Sequence, residues 1–328
     1  MNGRWVVCTG LLLLLQSLSC SRARADERAG PAKDDFPYVR VLGIAQDAGY
    51  PQAGCRRDCC RDAWQQPQRR RFATSLAIVD PQTQQTWLLD CTPDFREQLH
   101  LLQSAERPTD TADVRPSRLL DGIFLTHAHI GHYAGLIHLG REVMGADGIP
   151  VYAMPRMRQF LTTNGPWDQL VTLNNVALRP LQANTPVPLN DRLTVTPLVV
   201  PHRDEYSETV GFVVSGPRRR VLFLPDIDKW EKWPRSIEDQ IAAVDVAYLD
   251  GTFFGNGEIP GRDMSQIPHP FIEESLQRFA SLPAAVRQRV RFIHLNHTNP
   301  ALQPDSAARR LIEQAGCAVA VQGEVEGL

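Results

Sequence analysis

The chain has 328 residues, 43% apolar and 22% charged, with a formal net charge of −2, seven cysteines and nine histidines. That balance belongs to a globular protein and excludes a collagen-like fibre, extended disorder and a disulfide-dense miniprotein. Near-neutral charge supplies no field for nucleic acid or anionic lipid, and Arg69 to Arg71 read as a short solvated run.

At the start of the chain Arg4 precedes an apolar run from Trp5 to Leu15, too short to span a bilayer. It reads as a secretory signal peptide (1–25), with the small residues Ala23 and Ala25 favouring cleavage after Ala25. A lipid-attachment box at Cys20 is the second choice, because Ser17 stands where Leu is usual. The mature chain is therefore expected in the periplasm or secreted, with no membrane span. A polar leader (26–36) then precedes one domain (37–328). Loss of the signal leaves Cys55, Cys59, Cys60, Cys91 and Cys317, an odd number that argues against a full disulfide framework.

Beyond the leader, short apolar runs alternate with Gly, Pro and Asp punctuation. Strands are predicted at Val39–Ile44, Ser75–Val79, Thr86–Leu89, Gly122–Leu125, Val151–Met154, Thr194–Val199, Val210–Val214, Val221–Leu224, Val246–Leu249 and Val290–Ile293. Helices are predicted at Phe95–Leu102, Gly135–Val143, Arg156–Leu161, Ile237–Ala242, Pro270–Ala280 and Asp305–Ala315, the last capped by Asp305. This interleaving without a linker predicts a single α/β domain, and no repeat of fixed period is visible.

The segment Thr126-His127-Ala128-His129-Ile130-Gly131-His132 packs three of the nine histidines into six residues. A strand ending near Thr126 lets His127 and His129 point the same way by period two, and a helix starting nearby turns His132 back towards them. Three later strands each end on a ligand-type residue: His202 after Leu198–Pro201, Asp226 after Val221–Pro225, and His294 after Arg291–Ile293. Such a set can hold one or two metals through N and O ligands.

In this order the motifs, with Asp90 after Leu88-Leu89, resemble the metallo-β-lactamase fold superfamily. The resemblance implies an αββα sandwich with metals at one edge of two sheets. It implies that His127, His129 and His202 hold a first metal, His132 and His294 a second, and that Asp226 bridges them. Gly131 stands where the family has a metal-binding aspartate, so the second site is expected to be weak.

Within that superfamily the chain resembles the proteins B of coenzyme PQQ synthesis, through Val41-Leu42-Gly43, Gly49-Tyr50-Pro51-Gln52, Cys91-Thr92-Pro93-Asp94-Phe95 and Ile293-His294-Leu295-Asn296. Typical members lack the first two histidines and an export signal, so this chain resembles a branch with a more hydrolase-like first site. Relatives with a structural zinc imply a further set of ligands, Cys55, Cys59, Cys60 and His297. A disulfide or redox pair is the alternative in an oxidising compartment. Asp250 at a strand end and His269 before a helix resemble an acid-plus-histidine pair beside the metals, suited to protonating a leaving group.

These readings predict hydrolysis of an ester, phosphodiester or related bond in a small molecule, with zinc and with Asp226, His269 and Asp250 in catalytic roles. An iron-dependent oxidoreductase acting on a quinone precursor, or a non-catalytic small-molecule carrier, are the alternatives. No nucleic acid partner is expected, and the oligomeric state is not legible.

Overall fold

The computed structural model describes residues 36–106 and 119–328, with the isolated Met1 and Gly3; the signal and leader readings, including Cys20 and Ala25, lie outside the described residues. The chain from Asp35 to Leu328 clusters as one unit.

Strands β1 (Tyr38–Gly43), β2 (Ser75–Asp80), β3 (Gln85–Leu89), β4 (Gly122–Phe124), β5 (Ile149–Ala153) and β6 (Val176–Pro180) lie side by side in chain order. A second sheet repeats that plan with β7 (Val187–Pro188), β8 (Thr194–Val199), β9 (Val210–Ser215), β10 (Arg220–Leu224), β11 (Val246–Asp250), β12 (Val290–Ile293) and β13 (Ala318–Val319). In each sheet the earlier strands pair antiparallel and the later ones parallel. A last strand, β14 (Val325–Gly327), returns to pair antiparallel with β1. The two halves thus share an architecture that no fixed-period sequence repeat reveals.

The helices are α1 (Asp58–Gln65), α2 (Phe95–Glu106), α3 (Ile130–Tyr133), α4 (Pro155–Thr163), α5 (Trp167–Thr172), α6 (Ile237–Ala242), α7 (Ile272–Phe279), α8 (Ala284–Arg287) and α9 (Ala307–Gln314). Strand periodicity explains the layering. In β2, Leu76 and Ile78 face the other sheet while Ala77 and Val79 face the α2 side, so every residue of that strand is buried. Between the sheets Leu76, Ile78, Leu89 and Phe124 meet Phe212, Phe223 and Leu249. On the outer face of the first sheet, Phe95, Leu102, Leu136 and Leu161 cover Leu88, Ile123 and Val151. The outcome is the expected αββα sandwich.

Three local expectations need correction. The stretch predicted as a helix over Gly135–Val143 forms a 3-10 turn at Ala134–Leu139, because the Gly135 amide donates to the Cys91 carbonyl at 2.9 Å instead of to a helical ladder. The cap of α9 is Ser306, whose Oγ accepts from the Arg309 amide at 3.0 Å, one residue beyond Asp305. Helix α1, unforeseen, carries Cys59 and Cys60 in its first turn. Among the described residues no helix is long and apolar enough to cross a membrane.

Candidate metal centre

Strand direction puts the chemistry at one edge. β1, β3 and β4 run the same way, as do β8, β10, β11 and β12, so the residues just past their C-terminal ends gather together. Asp90 follows β3, His127 follows β4, His202 follows β8, Asp226 follows β10, Asp250 ends β11 and His294 follows β12. Asp90 and His294 adopt left-handed backbone, with φ of 67° and 64°, which turns the chain sharply at the strand end.

His127, His129, His202 and Asp226 form the first group, with one ligand-type atom from each lying within 4.8 Å of the others. His127 Nε2 is 2.8 Å from His129 Nδ1 and 3.3 Å from Asp226 Oδ2, and His202 Nε2 is 3.2 Å from Asp226 Oδ1. Edges of a tetrahedron with zinc bond lengths of about 2.0–2.1 Å are about 3.3 Å long. Burial holds the His127 ring well below the usual imidazole range, with His132 acting in the same direction.

The second group is His132, His294 and Asp47, and Asp47 was not anticipated from sequence. Its Oδ1 lies 3.3 Å from His132 Nε2 and 3.5 Å from His294 Nε2. Burial works against ionisation of Asp47, but the two imidazoles outweigh it and hold the carboxyl well below its ordinary range. Asp226 Oδ2, 3.9 Å from His132 Nε2, reaches this group as well as the first.

Behind the rings a threonine–carboxylate device is used twice. Thr126 Oγ1 donates to Asp90 at 3.0 Å and sits 3.0 Å from His127 Nδ1, while His132 Nδ1 donates to Asp90 Oδ2 at 2.7 Å. In the other half Thr252 Oγ1 donates to Asp250 at 2.7 Å and sits 2.9 Å from His294 Nδ1, while His269 Nδ1 donates to Asp250 Oδ2 at 2.8 Å. Asp228 stands 3.3 Å from His202 Nδ1, and Glu205 stands 3.2 Å from His129 Nε2. His127, His132, His202 and His294, anchored through Nδ1, therefore direct Nε2 into the site, the arrangement that outer hydrogen bonds impose on metal-binding imidazoles, whereas His269 faces both Asp250 and Asp226 with Nδ1.

A cation fits this donor set. His132 Nε2, His202 Nε2, His294 Nε2, Asp47 Oδ1 and Asp226 Oδ1 are buried and have no hydrogen-bond partner. Each such atom costs about 1–3 kcal/mol if left unpaired; Asp90 and Asp47 hold His132 above the usual imidazole range despite burial, and Asp226 does the same for His202, so these carboxylates call for positive charge beside them, which a metal ion supplies. The pocket's titration shows the same demand. His269 is pushed up to about 10, Asp250 and Asp226 overcoming the opposing effect of burial. Asp226 stays well below its ordinary range despite burial, because His202, His269 and His127 surround it.

Away from this edge Cys55, Cys59, Cys60 and His297 form another group of the same compactness, with Cys55 Sγ 3.8 Å from Cys59 Sγ. The three cysteines are free thiols. Adjacent cysteines share the group because the start of α1 bends the backbone between them. Burial pushes the Cys60 thiol up to about 12, and the neighbouring sulfurs add to it, so three thiolates need a cation to coexist.

Other large aromatic and histidine side chains lie away from this edge. Trp230 and Trp233 are core side chains, hydrogen-bonded to Ser275 Oγ and the Val199 carbonyl. Trp167 packs edge-on against Tyr133, His138 stacks on Phe95, and His100 is exposed on α2.

Residues 85–295 match the family described as Beta-lactamase superfamily domain. Coenzyme PQQ synthesis protein B of Xanthomonas campestris pv. campestris is 28% identical over 308 residues, spanning 87% of this chain and 98% of the relative. The protein of that name from Methylobacterium nodulans is 29% identical over 306 residues, spanning 86% and 97%. Among solved structures, Zn(2+)-bound PqqB from Methylobacterium extorquens superposes with a TM-score of 0.74 at 24% identity, covering 89% of this chain and all of that one. A diphosphatase from the PhnP family superposes with a TM-score of 0.61 at 20% identity, covering 89% and 97%. The matched family, the sheet order and the shared length place this chain in the β-lactamase superfamily, with the metallo-β-lactamase fold and a PQQ synthesis protein B-like sequence.

Proposed function

We propose that the chain is an exported metal-dependent hydrolase acting on an ester, phosphodiester or related bond of a small molecule. The observation that carries this reading is the set of buried imidazole nitrogens and carboxylate oxygens that converge at one edge with no hydrogen-bond partner. Zinc held by such ligands supplies Lewis acidity and brings the pKa of water towards neutrality. Asp226, which faces both histidine groups, orients the attacking water. His269, fixed through Nδ1 on Asp250, offers the proton on its other nitrogen to the leaving group. A phosphorus-containing substrate is kept in the panel because one fold neighbour is described as a diphosphatase. Export rests on the N-terminal apolar run and the Ala23/Ala25 pair.

The test is elemental analysis of the mature protein with a panel of phosphodiesters, lactones and β-lactams. At least one equivalent of zinc and turnover of an ester are expected, with little β-lactam cleavage. Less than one equivalent of metal overturns the reading. The PQQ synthesis relatives favour one second reading, an iron-dependent oxidoreductase acting on a quinone precursor. Bound iron together with substrate-dependent oxygen consumption selects it.

A further inference from the structure

We infer that the carboxylate missing at position 131 has been transposed to Asp47, which completes a second metal site with His132, His294 and the shared Asp226. The inference rests on the metal-centre reading above and deepens it.

Residue 131 and residue 47 compete for one volume. A Cβ built on Gly131 would lie 2.3 Å from Asp47 Oδ1, 2.4 Å from its Cα and 2.7 Å from its Cβ, closer than any side chain tolerates. With the backbone of residue 47 this close, position 131 has room for no side chain, and the carboxylate at this place comes from Asp47. The Asp47 side chain is 27% exposed, yet its Oδ1 is buried without a partner and faces two imidazole nitrogens at 3.3 and 3.5 Å. Those separations match the edge of a zinc tetrahedron, about 3.3 Å. Gly131 therefore removes an obstacle, and the second group keeps two imidazoles and two carboxylates.

Backbone bonds hold the transposed ligand in place. The Gln46 amide donates to the Leu295 carbonyl at 2.9 Å and the Leu295 amide to the Ile44 carbonyl at 2.8 Å, which locks Asp47 beside His294. The Gly49 amide closes the turn onto the Gln46 carbonyl at 2.8 Å, with Gly49 at φ 68°. The same two segments run on to the cysteine group, one through Cys55, Cys59 and Cys60, the other through His297. The new ligand thus sits on a loop whose far end is gathered by the cysteines.

Zinc binding to metal-free protein, read by elemental analysis and chelator competition, tests this in wild type, Asp47→Asn, Asp47→Gly and Gly131→Asp. Asp47→Asn and Asp47→Gly are expected to lose one equivalent, or to bind it at least about tenfold more weakly, while keeping the equivalent at His127, His129 and His202. Gly131→Asp is expected to lose it as well, because the new side chain meets the backbone of residue 47 and displaces the loop that carries Asp47. A full, tight complement in Asp47→Asn or Asp47→Gly overturns the inference. Wild type with no metal at either histidine group overturns the metal-centre reading instead. Retention of the first equivalent and of the far-ultraviolet spectrum separates ligand loss from misfolding.

Discussion

Asp90 accepts the Nδ1 proton of His132 at 2.7 Å, and this one bond decides that Nε2 of the ring points towards Asp47 and Asp226. Asp90 also receives the Thr126 amide at 2.8 Å and the Thr126 hydroxyl. Asparagine tolerates left-handed backbone, so Asp90→Asn is expected to fold while weakening metal affinity by about 10- to 100-fold. Asp90→Ala strands buried donors and should lower stability by about 3 kcal/mol. Chelator competition and thermal melting check the two.

The pair His127 and His129 separates enzyme from carrier. Replacing both with alanine should remove one metal equivalent and abolish turnover above background. A non-catalytic binding protein would keep its small-molecule affinity in the same variant, measurable by calorimetry.

His269 is tested by the leaving group. His269→Gln should slow substrates with poorly acidic leaving groups by about 10²- to 10⁴-fold and leave activated nitrophenyl esters much less affected. Equal loss across the series would show that the ring does not donate the proton. Asp250→Asn should move in the same direction, since Asp250 holds His269 and, through Thr252, His294.

Thiol titration addresses the cysteine group. With Cys55, Cys59 and Cys60 around one cation, these thiols should resist a maleimide or disulfide reagent until a chelator is added. Full reactivity without chelator, or none under reductant-free denaturation, would instead mean vacant thiols or a disulfide.

Glu258, which accepts from the Thr298 hydroxyl beside His297, provides a separate pH signature. Burial raises its carboxyl to about 7, outweighing hydrogen bonds from the Thr298 hydroxyl and the Phe254 amide. An unfolded glutamate releases its proton near 4.5, so between that pH and about 7 the folded chain holds a proton the unfolded chain has lost. This contribution to stability is whole below pH 4.5 and disappears as the pH rises through 7. Glu258→Gln should flatten the fall in melting temperature across that window.

The donor residues of β3, β4, β8, β10 and β12 were legible because each follows an apolar run whose end is marked by a polar side chain. Alternation in a strand constrains the faces, and chain direction then carries the ends to one edge. Asp47 was hidden because Gln46-Asp47-Ala48-Gly49 reads as an ordinary turn, and its role depends on a side chain that Gly131 lacks. Short edge strands β7 and β13, two residues each, are too brief for periodicity to show. Helix α1 was masked by the cysteine pattern, which draws attention to ligands and away from the helical run Asp58–Gln65 that carries Cys59 and Cys60.

The division of ligands between the two sheets has a consequence for how the molecule comes into being. His127 and His129 belong to the first half, whereas Asp226 and His294 belong to the second, and the ribosome delivers them in that order. A nascent chain that has emitted the histidine-rich turn still owns no complete pocket. Ion capture must therefore be among the final acts of maturation, after the late-synthesised strands have docked.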